Sequence, residues 1–142
     1  MGTRRKSREL ALNALYQGEL TATSPVENFP LLCDNFEVNK RAVPYGRELV
    51  AGIAERWEEI NARIAESAVN WRLSRMSVLD RNIIRLAAYE MLFRDDVPPR
   101  VAIDEAIELA KRYCADDSPS FINGILDAIL RNIEDAAGCR RK

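Results

Sequence analysis

Apolar residues recur along this chain at three- and four-residue steps, the spacing of one face of an α-helix. The clearest run begins at Leu49 and ends at Ala68, with steps of 4, 4, 3, 4 and 4 between apolar positions. Nowhere do β-branched residues alternate with polar ones for long enough to predict a strand. The pattern therefore predicts an all-α fold.

Turn and capping residues divide the pattern into separate helices. Three starts combine an N-cap residue with a proline or an acid suited to the first turn, namely Ser24-Pro25, Ser77 with Asp80, and Ser118-Pro119. The predicted helices cover about residues 3–20, 25–35, 44–69, 77–93, 102–113 and 118–134. Thr3 is the candidate N-cap of the first helix, and the long third helix is expected to bend or break inside. Six or seven helices joined by short loops predict a compact bundle.

The length of 142 residues is that of one ordinary domain. Hydrophobic residues make up 47% of the chain, and glycine and proline number six each, so the composition favours a globular fold over disorder. We therefore predict a single helical domain over residues 1–142. Residues 1–8 are expected to form a basic arm that leads into the first helix, and residues 135–142 a frayed tail.

Positive charge is concentrated at the start of the chain. Residues 1–8 contain Arg4, Arg5, Lys6 and Arg8 and no acid, whereas residues 9–139 hold 14 basic and 22 acidic residues. Segregated cations of this kind are candidate contacts for a polyanion. The residues alone leave three interpretations open: phosphate contact, a solubilising terminus, and contact with a membrane surface.

Aromatic residues near the cations matter because proteins hold single-stranded RNA by phosphate contacts and by stacking of bases on rings. Tyr16 lies on the same predicted helix as the cations. Phe121 lies in the first turn of the last helix, where free backbone N–H groups bind anions. Each is also an ordinary core residue at its position. A second basic run suits either ion pairing with the acidic long helix or RNA contact, and it consists of Arg72, Arg75, Arg81 and Arg85.

The residue types present argue against catalysis. The chain contains no histidine, which removes the commonest general base and a usual zinc ligand. Cys33, Cys114 and Cys139 are too widely spaced for a metal knuckle or a redox motif, and they predict free thiols in a reducing cytoplasm. No segment has the ~18 uninterrupted apolar residues of a membrane span. We therefore predict a cytoplasmic protein without catalytic residues, metal or cofactor.

Four stretches of the sequence form a specific set. They read "RRKSRELALNALYQGEL", "RELVAGI", "LDRNIIRLAAYEML" and "DVPPRVAIDEAIELAKRYCADDSPSFINGILDAILRNI". A generic helical bundle would not reproduce the order of residues in the last stretch. Together the four resemble the NusB family of bacterial transcription antitermination factors, and residues 21–40 show no match beyond helical character.

The resemblance implies two packed helical subdomains and a function without catalysis. Proteins of this family pair with NusE, which is also a small-subunit ribosomal protein, and the pair binds the boxA element of nascent RNA. With other Nus factors, this complex lets RNA polymerase read through termination signals, chiefly in ribosomal RNA operons. By residue match, the implied RNA-binding positions are Arg4, Arg5, Lys6, Arg8, Tyr16, Asp117, Ser118 and Phe121. The same match places Asp80 at the NusE interface, with Arg75 and Met76 as neighbours.

Two other functions remain alternatives at this point. The same domain resembles the N-terminal extension of certain ribosomal RNA cytosine methyltransferases, an alternative that fails unless the chain is a fragment of a longer protein. A helical scaffold or homodimer would use the same apolar stripes and none of the basic cluster. The oligomeric state and the RNA sequence preference are not fixed by the sequence.

Overall fold

A computed structural model describes residues 2–35 and 38–141, which form seven α-helices. The helices are α1 Gly2–Thr21, α2 Pro25–Asn35, α3 Val43–Glu55, α4 Trp57–Ser67, α5 Val78–Phe93, α6 Pro99–Tyr113 and α7 Ser118–Arg141. Short 3-10 turns occupy Lys40–Ala42 and Leu73–Arg75. The described ranges contain no strand, so the all-α prediction is confirmed.

Three helices begin earlier than the sequence pattern predicted. α1 begins at Gly2, so Thr3 lies inside the helix, and its prediction as the N-cap was wrong because helical backbone already starts before it. α6 begins at Pro99 rather than near Ala102, because the fixed φ of proline suits the first helical position. α3 begins at Val43, one residue before the predicted start, and α7 begins at Ser118, so the predicted N-cap residue is itself the first helical residue.

The predicted long third helix is broken at Arg56. α3 ends at Glu55, and Arg56 leaves the helical conformation with φ of −111° and ψ of 25° while its N–H donates to the Gly52 carbonyl at 3.1 Å. Glycine in the last turn weakens the helix there by roughly 1 kcal/mol relative to alanine. α4 then starts afresh at Trp57, so the expected break is confirmed.

Two predicted N-caps are confirmed, whereas the last helix ends later than predicted, because α7 runs to Arg141 and not to about residue 134. Ser24 caps α2 by accepting a hydrogen bond from the Glu27 N–H at 3.4 Å. Ser77 caps α5 in the same way, with the Asp80 N–H as donor at 3.1 Å. The frayed tail predicted for residues 135–142 extends beyond the described side chains and stays a prediction.

The chain divides into two compact units, and unit 1 covers Met1–Trp57. In unit 1, α1, α2 and α3 pack against one another. Ser7 of α1 is fully buried, and its hydroxyl donates to the Ala42 carbonyl at 2.7 Å, which ties α1 to the turn before α3. Gly46 of α3 leaves room for Phe29, whose Cζ would lie 2.9 Å from an added Cβ. This packing fixes the start of α1 within unit 1.

Unit 2 covers Glu58–Lys142 and is built around α5. α5 packs against α6 and α7, and all of residues 82–91 are buried. Even Arg85 is only 5% exposed: its Nε donates to Asn61 Oδ1 at 2.9 Å and its guanidinium donates to Asn82 Oδ1 at 3.0 Å. These bonds attach α4 to α5.

Candidate functional site

The first turns of α1 carry three exposed cations, Arg4, Arg5 and Lys6, which we call the outer cations. The described first turn of this helix holds no acidic side chain. A helix N-terminus already carries partial positive charge from its unsatisfied N–H groups, so the outer cations add to a positive potential. This end of unit 1 is therefore suited to meeting an anion.

Arg8 differs from the outer cations because it is only 4% exposed. Its guanidinium lies 5.9 Å from the centre of the Tyr45 ring, and the Arg4 guanidinium lies 4.2 Å from the same ring. Both distances are within the range of cation–π attraction. The structure thus splits the predicted RNA cluster into three exposed members and one buried member. Sequence reasoning missed Tyr45, because its contact joins residues far apart along the chain.

Tyr16 lies farther along α1 and is half-buried. It follows Arg5 by three turns of helix, roughly 17 Å along the axis and on nearly the same face. One helix therefore presents a cation and an aromatic ring at a separation that suits an extended chain of nucleotides.

A cleft of about 260 Å³ in unit 2 brings the other predicted site residues together. It is formed by the loop after α4, the start of α5 and the start of α7. Its lining residues are Trp71, Arg75, Met76, Ser77, Asp80, Asp117, Ser118 and Phe121. The positions matched to RNA on α7 and in the loop before it, and the positions matched to NusE near the start of α5, thus share one cleft.

Asp80 and Ser118 link these two groups directly. The Ser118 hydroxyl donates to Asp80 Oδ2 at 3.1 Å, and Ser118 is 4% exposed. Among the described residues, no donor makes a well-formed hydrogen bond to Oδ1 of the same carboxylate, although this atom is buried, and the Cys114 thiol beside the carboxylate is only a weak donor. A buried acceptor without a donor costs free energy, so Asp80 is suited to accept a hydrogen bond from a ligand.

Cys114 lies beside the same carboxylate. Its partial burial first, and then its hydrogen bond to Asp80 and the negative charge of that residue, raise the pKa of the thiol to about 12. The thiol therefore stays protonated and unreactive at neutral pH. Cys114 supports the acidic wall of the cleft rather than offering a nucleophile.

Trp71 is the cleft residue that sequence reasoning missed. Its side chain is 57% exposed, and its ring meets Phe121 edge to face, with 5.2 Å between centroids and 81° between planes. The available signal was a tryptophan beside arginines in a connecting loop, where exposed aromatic residues are more often functional than structural.

In the second basic run, two arginines make contacts inside the protein and two are exposed on the loop. The Arg81 guanidinium donates to the backbone carbonyls of Leu73 at 3.3 Å and Met76 at 3.2 Å, so it holds the loop after α4. The last member of the run is the buried arginine of α5 described above. Arg72 and Arg75 are exposed on the loop, and RNA contact stays a prediction for these two.

The NusB family model matches residues 5–131 of the chain. The chain belongs to the NusB family. The transcription antitermination protein NusB of Desulfotalea psychrophila is 47% identical over 135 residues, which cover 91% of this chain and 96% of that protein. The transcription antitermination protein NusB of a Geobacter species is 42% identical over 143 residues, covering 95% and 99%.

Solved structures share the fold of this NusB-family chain. T. maritima NusB superposes with a TM-score of 0.83 at 40% identity, and the match covers 90% of this chain and 90% of that one. A chain in a crystal structure of the antitermination factors NusB and NusE in complex with double-stranded RNA matches with a TM-score of 0.83 at 28% identity, over 93% of this chain and 98% of that one. The all-α architecture is that of known NusB structures.

The two units of this NusB-family chain present different surfaces. Unit 1 presents cations at a helix start, and unit 2 presents an acidic, aromatic cleft. Within the described ranges, no helix is long and apolar enough to cross a membrane. In that same part of the chain, no three cysteine or acidic residues are grouped to hold a metal ion.

Proposed function

We propose that this NusB-family chain is a transcription antitermination factor that binds boxA-type single-stranded RNA together with NusE. Bound with other Nus factors, it would help RNA polymerase to read through ribosomal RNA operons in the cytoplasm, by binding and without catalysis. The observation that carries the proposal is the exposed set of outer cations at the start of α1, in a chain similar over most of its length to antitermination proteins.

On the RNA side, the outer cations contact phosphates, and Tyr16 and Phe121 face bases. Arg8 supports the RNA-binding surface indirectly, because it is buried. Its guanidinium lies near the same Tyr45 ring as that of Arg4. Three phosphate contacts by the outer cations contribute about −2 to the slope of a plot of log K against log salt concentration, at roughly −0.7 per phosphate.

On the protein side, Asp80 receives a basic side chain of NusE. The carboxylate is held by Ser118, and its buried Oδ1 is the acceptor that an incoming arginine or lysine would satisfy. Met76 is 6% exposed and lines the same cleft, so its contribution is to shape the cleft wall. Asp117 lies exposed in the loop before α7, and it lines the cleft together with the residues proposed to contact RNA and NusE.

Fluorescence anisotropy with a labelled RNA that contains boxA tests the proposal directly. The single-stranded RNA is titrated with the full chain alone and with an equimolar mixture of the chain and NusE, over a range of salt concentrations. We expect the mixture to bind more tightly, and the chain alone to give a slope at least as steep as about −2. The same RNA annealed to its complement is the second arm, because a matching chain occurs in a complex with double-stranded RNA.

If the chain is instead a helical scaffold or homodimer, the same samples should show no RNA binding. Sedimentation would then show self-association only, and neither NusE nor RNA would change it. Tighter binding to the duplex than to the single strand would instead correct the class of RNA.

A further inference from the structure

The loop after α4 carries an aromatic ring that the fold does not need for its core. Trp71 is 57% exposed, whereas tryptophan is on average one of the more buried residues. Its nearest aromatic contact is the edge-to-face pair with Phe121. In such a pair, at least one ring keeps both faces uncovered by the other, so an aromatic face at the mouth of the cleft is open to a ligand.

The loop that carries Trp71 is held rigidly. The Trp71 N–H donates to the Ala68 carbonyl at 3.0 Å, and the Arg75 N–H donates to the Arg72 carbonyl at 2.9 Å. The Arg81 guanidinium binds two further carbonyls of the loop, as described above. Binding to a pre-ordered ring avoids the cost of immobilising a side chain, which is roughly 0.5 to 1.5 kcal/mol for a flexible one.

The charge around the ring points to one class of ligand. Arg72 is the next residue after Trp71, Arg75 lines the cleft, and both are exposed. Exposed rings flanked by cations are the arrangement by which proteins hold single-stranded nucleic acid, through base stacking and phosphate contact. A basic protein partner would be repelled by the two arginines at this side of the cleft, whereas Asp80 attracts it at the other side.

We propose that Trp71 is a further RNA-binding residue, which stacks on a base beside Phe121 while Arg72 and Arg75 contact the neighbouring phosphates. This inference rests on the proposed RNA-binding function and extends it to the loop after α4. The cleft volume of about 260 Å³ lies below the roughly 300 to 1,000 Å³ typical of sites for drug-sized ligands.

Substitutions at Trp71 separate stacking from charge. At fixed salt, Trp71→Ala is expected to lower affinity for the boxA RNA by about 5- to 150-fold, the range for loss of one stacked base, and Trp71→Phe by less. The salt slope should stay unchanged, because stacking releases no counterion. Arg75→Gln should make the negative salt slope shallower by about 0.7 and should lower the RNA affinity by about fivefold at 0.1 M salt. Val69→Ala, at an 82% exposed position in the same loop, is the matched control and should bind like the unaltered chain.

Tryptophan fluorescence gives a direct readout of the contact. The chain has two tryptophans, so Trp57→Phe leaves Trp71 as the sole source of tryptophan emission. RNA should quench this emission with the same dissociation constant as anisotropy reports, whereas the emission of Trp71→Phe should change little.

Three results would overturn the assignment. In a chain that binds RNA, unchanged affinity of Trp71→Ala would remove the stacking role and leave the proposed function intact. Loss of NusE affinity without loss of RNA affinity would assign Trp71 to the protein contact instead. Absence of RNA binding by the unaltered chain with NusE would remove the proposed function and, with it, this inference.

Discussion

The two units carry their candidate contacts in different ways. In unit 1 the outer cations are neighbours in sequence and lie on the exposed first turns of one helix. In unit 2 the cleft draws its lining from the loop after α4, from α5 and from the region around the start of α7. Contiguous cations keep their arrangement wherever the helix forms, whereas an assembled cleft exists only when its segments pack correctly. Changes to charge and changes to packing should therefore affect the two units unequally.

The largest effect is expected from Asp80→Lys in the cleft. The substitution replaces the proposed acceptor of a basic side chain with a like charge, so NusE affinity should fall by about 30-fold or more, the lower end for a truncated, buried charge pair. RNA binding by the chain alone should change much less. Calorimetry with NusE measures the first effect, and anisotropy with the boxA RNA measures the second.

Asp104→Lys is the matched control for this prediction, since it makes the same charge change at an exposed position of α6 in the same unit. It should bind NusE like the unaltered chain. Asp80→Asn keeps an acceptor for Ser118 and loses only the charge, so its affinity should be intermediate. An Asp80→Lys variant with full NusE affinity would take Asp80 out of the interface.

Gly46→Ala tests the packing that supports the basic helix start. The added Cβ would lie 2.9 Å from Phe29 Cζ and 3.3 Å from the Ser7 carbonyl oxygen, and the buried Phe29 has little room to move. We expect a loss of about 1 to 3 kcal/mol in the free energy of unfolding, as for overpacked cores. Urea denaturation followed by circular dichroism measures it.

Gly124→Ala is the control for this measurement, because it should change the free energy of unfolding in the opposite direction. A Cβ at Gly124 meets nothing within 4 Å, so alanine should stabilise α7 by up to about 1 kcal/mol. Equal stabilities of the two variants would show that the Gly46 contact is not tight.

Substitution of two outer cations tests unit 1 without disturbing its fold. Deleting residues 1–8 would also remove the buried Ser7 and Arg8, so Arg5→Gln with Lys6→Gln is the better variant. Two lost phosphate contacts should lower RNA affinity by about 25-fold at 0.1 M salt and make the salt slope shallower by about 1.4. Anisotropy across a salt series measures both quantities.

The control carries the same loss of charge elsewhere. Lys111→Gln with Arg131→Gln removes two exposed cations from unit 2 and should leave the slope unchanged. Equal slopes for both double variants would mean that the outer cations act only through net charge.

The smallest effect concerns Cys114 at high pH. Its pKa is raised from 9.0 to about 12 by burial and by Asp80, so the folded state keeps the proton that the unfolded state loses above about pH 9. The unfolded state then binds fewer protons, and stability falls as pH rises from about 9 toward 12. Cys114→Ser does not titrate there, so its unfolding free energy should fall less steeply over this range. Parallel curves for the two proteins would contradict the raised pKa.

The fold was predictable from helical spacing because its helices are amphipathic and several of their starts carry caps or prolines. Ser24 and Ser77 cap where expected, and the broken third helix was anticipated. The start of α1 was misplaced, because Thr3 is a good N-cap residue in isolation and nothing in the pattern shows that helical backbone begins at Gly2. Local preference is a weak guide where a helix reaches the end of a chain.

The site was predictable only in part. The outer cations are visible in sequence because charge segregation needs no tertiary structure to be recognised. The sequence gives no sign that Arg8 is buried over Tyr45, since burial depends on α3 lying against α1. Trp71 was missed for the same reason, because its pairing with Phe121 joins distant segments.

By itself, the sequence determined the helical class of this protein, its NusB-type motifs and the cationic start of α1. Spacing and charge order are local properties, and a helix displays them directly. Only the tertiary structure decided which cations stay exposed, and that Asp80, Ser118, Trp71 and Phe121 share one cleft. Packing between distant segments sets burial and hydrogen-bond partners, and these turn a set of residue types into a site.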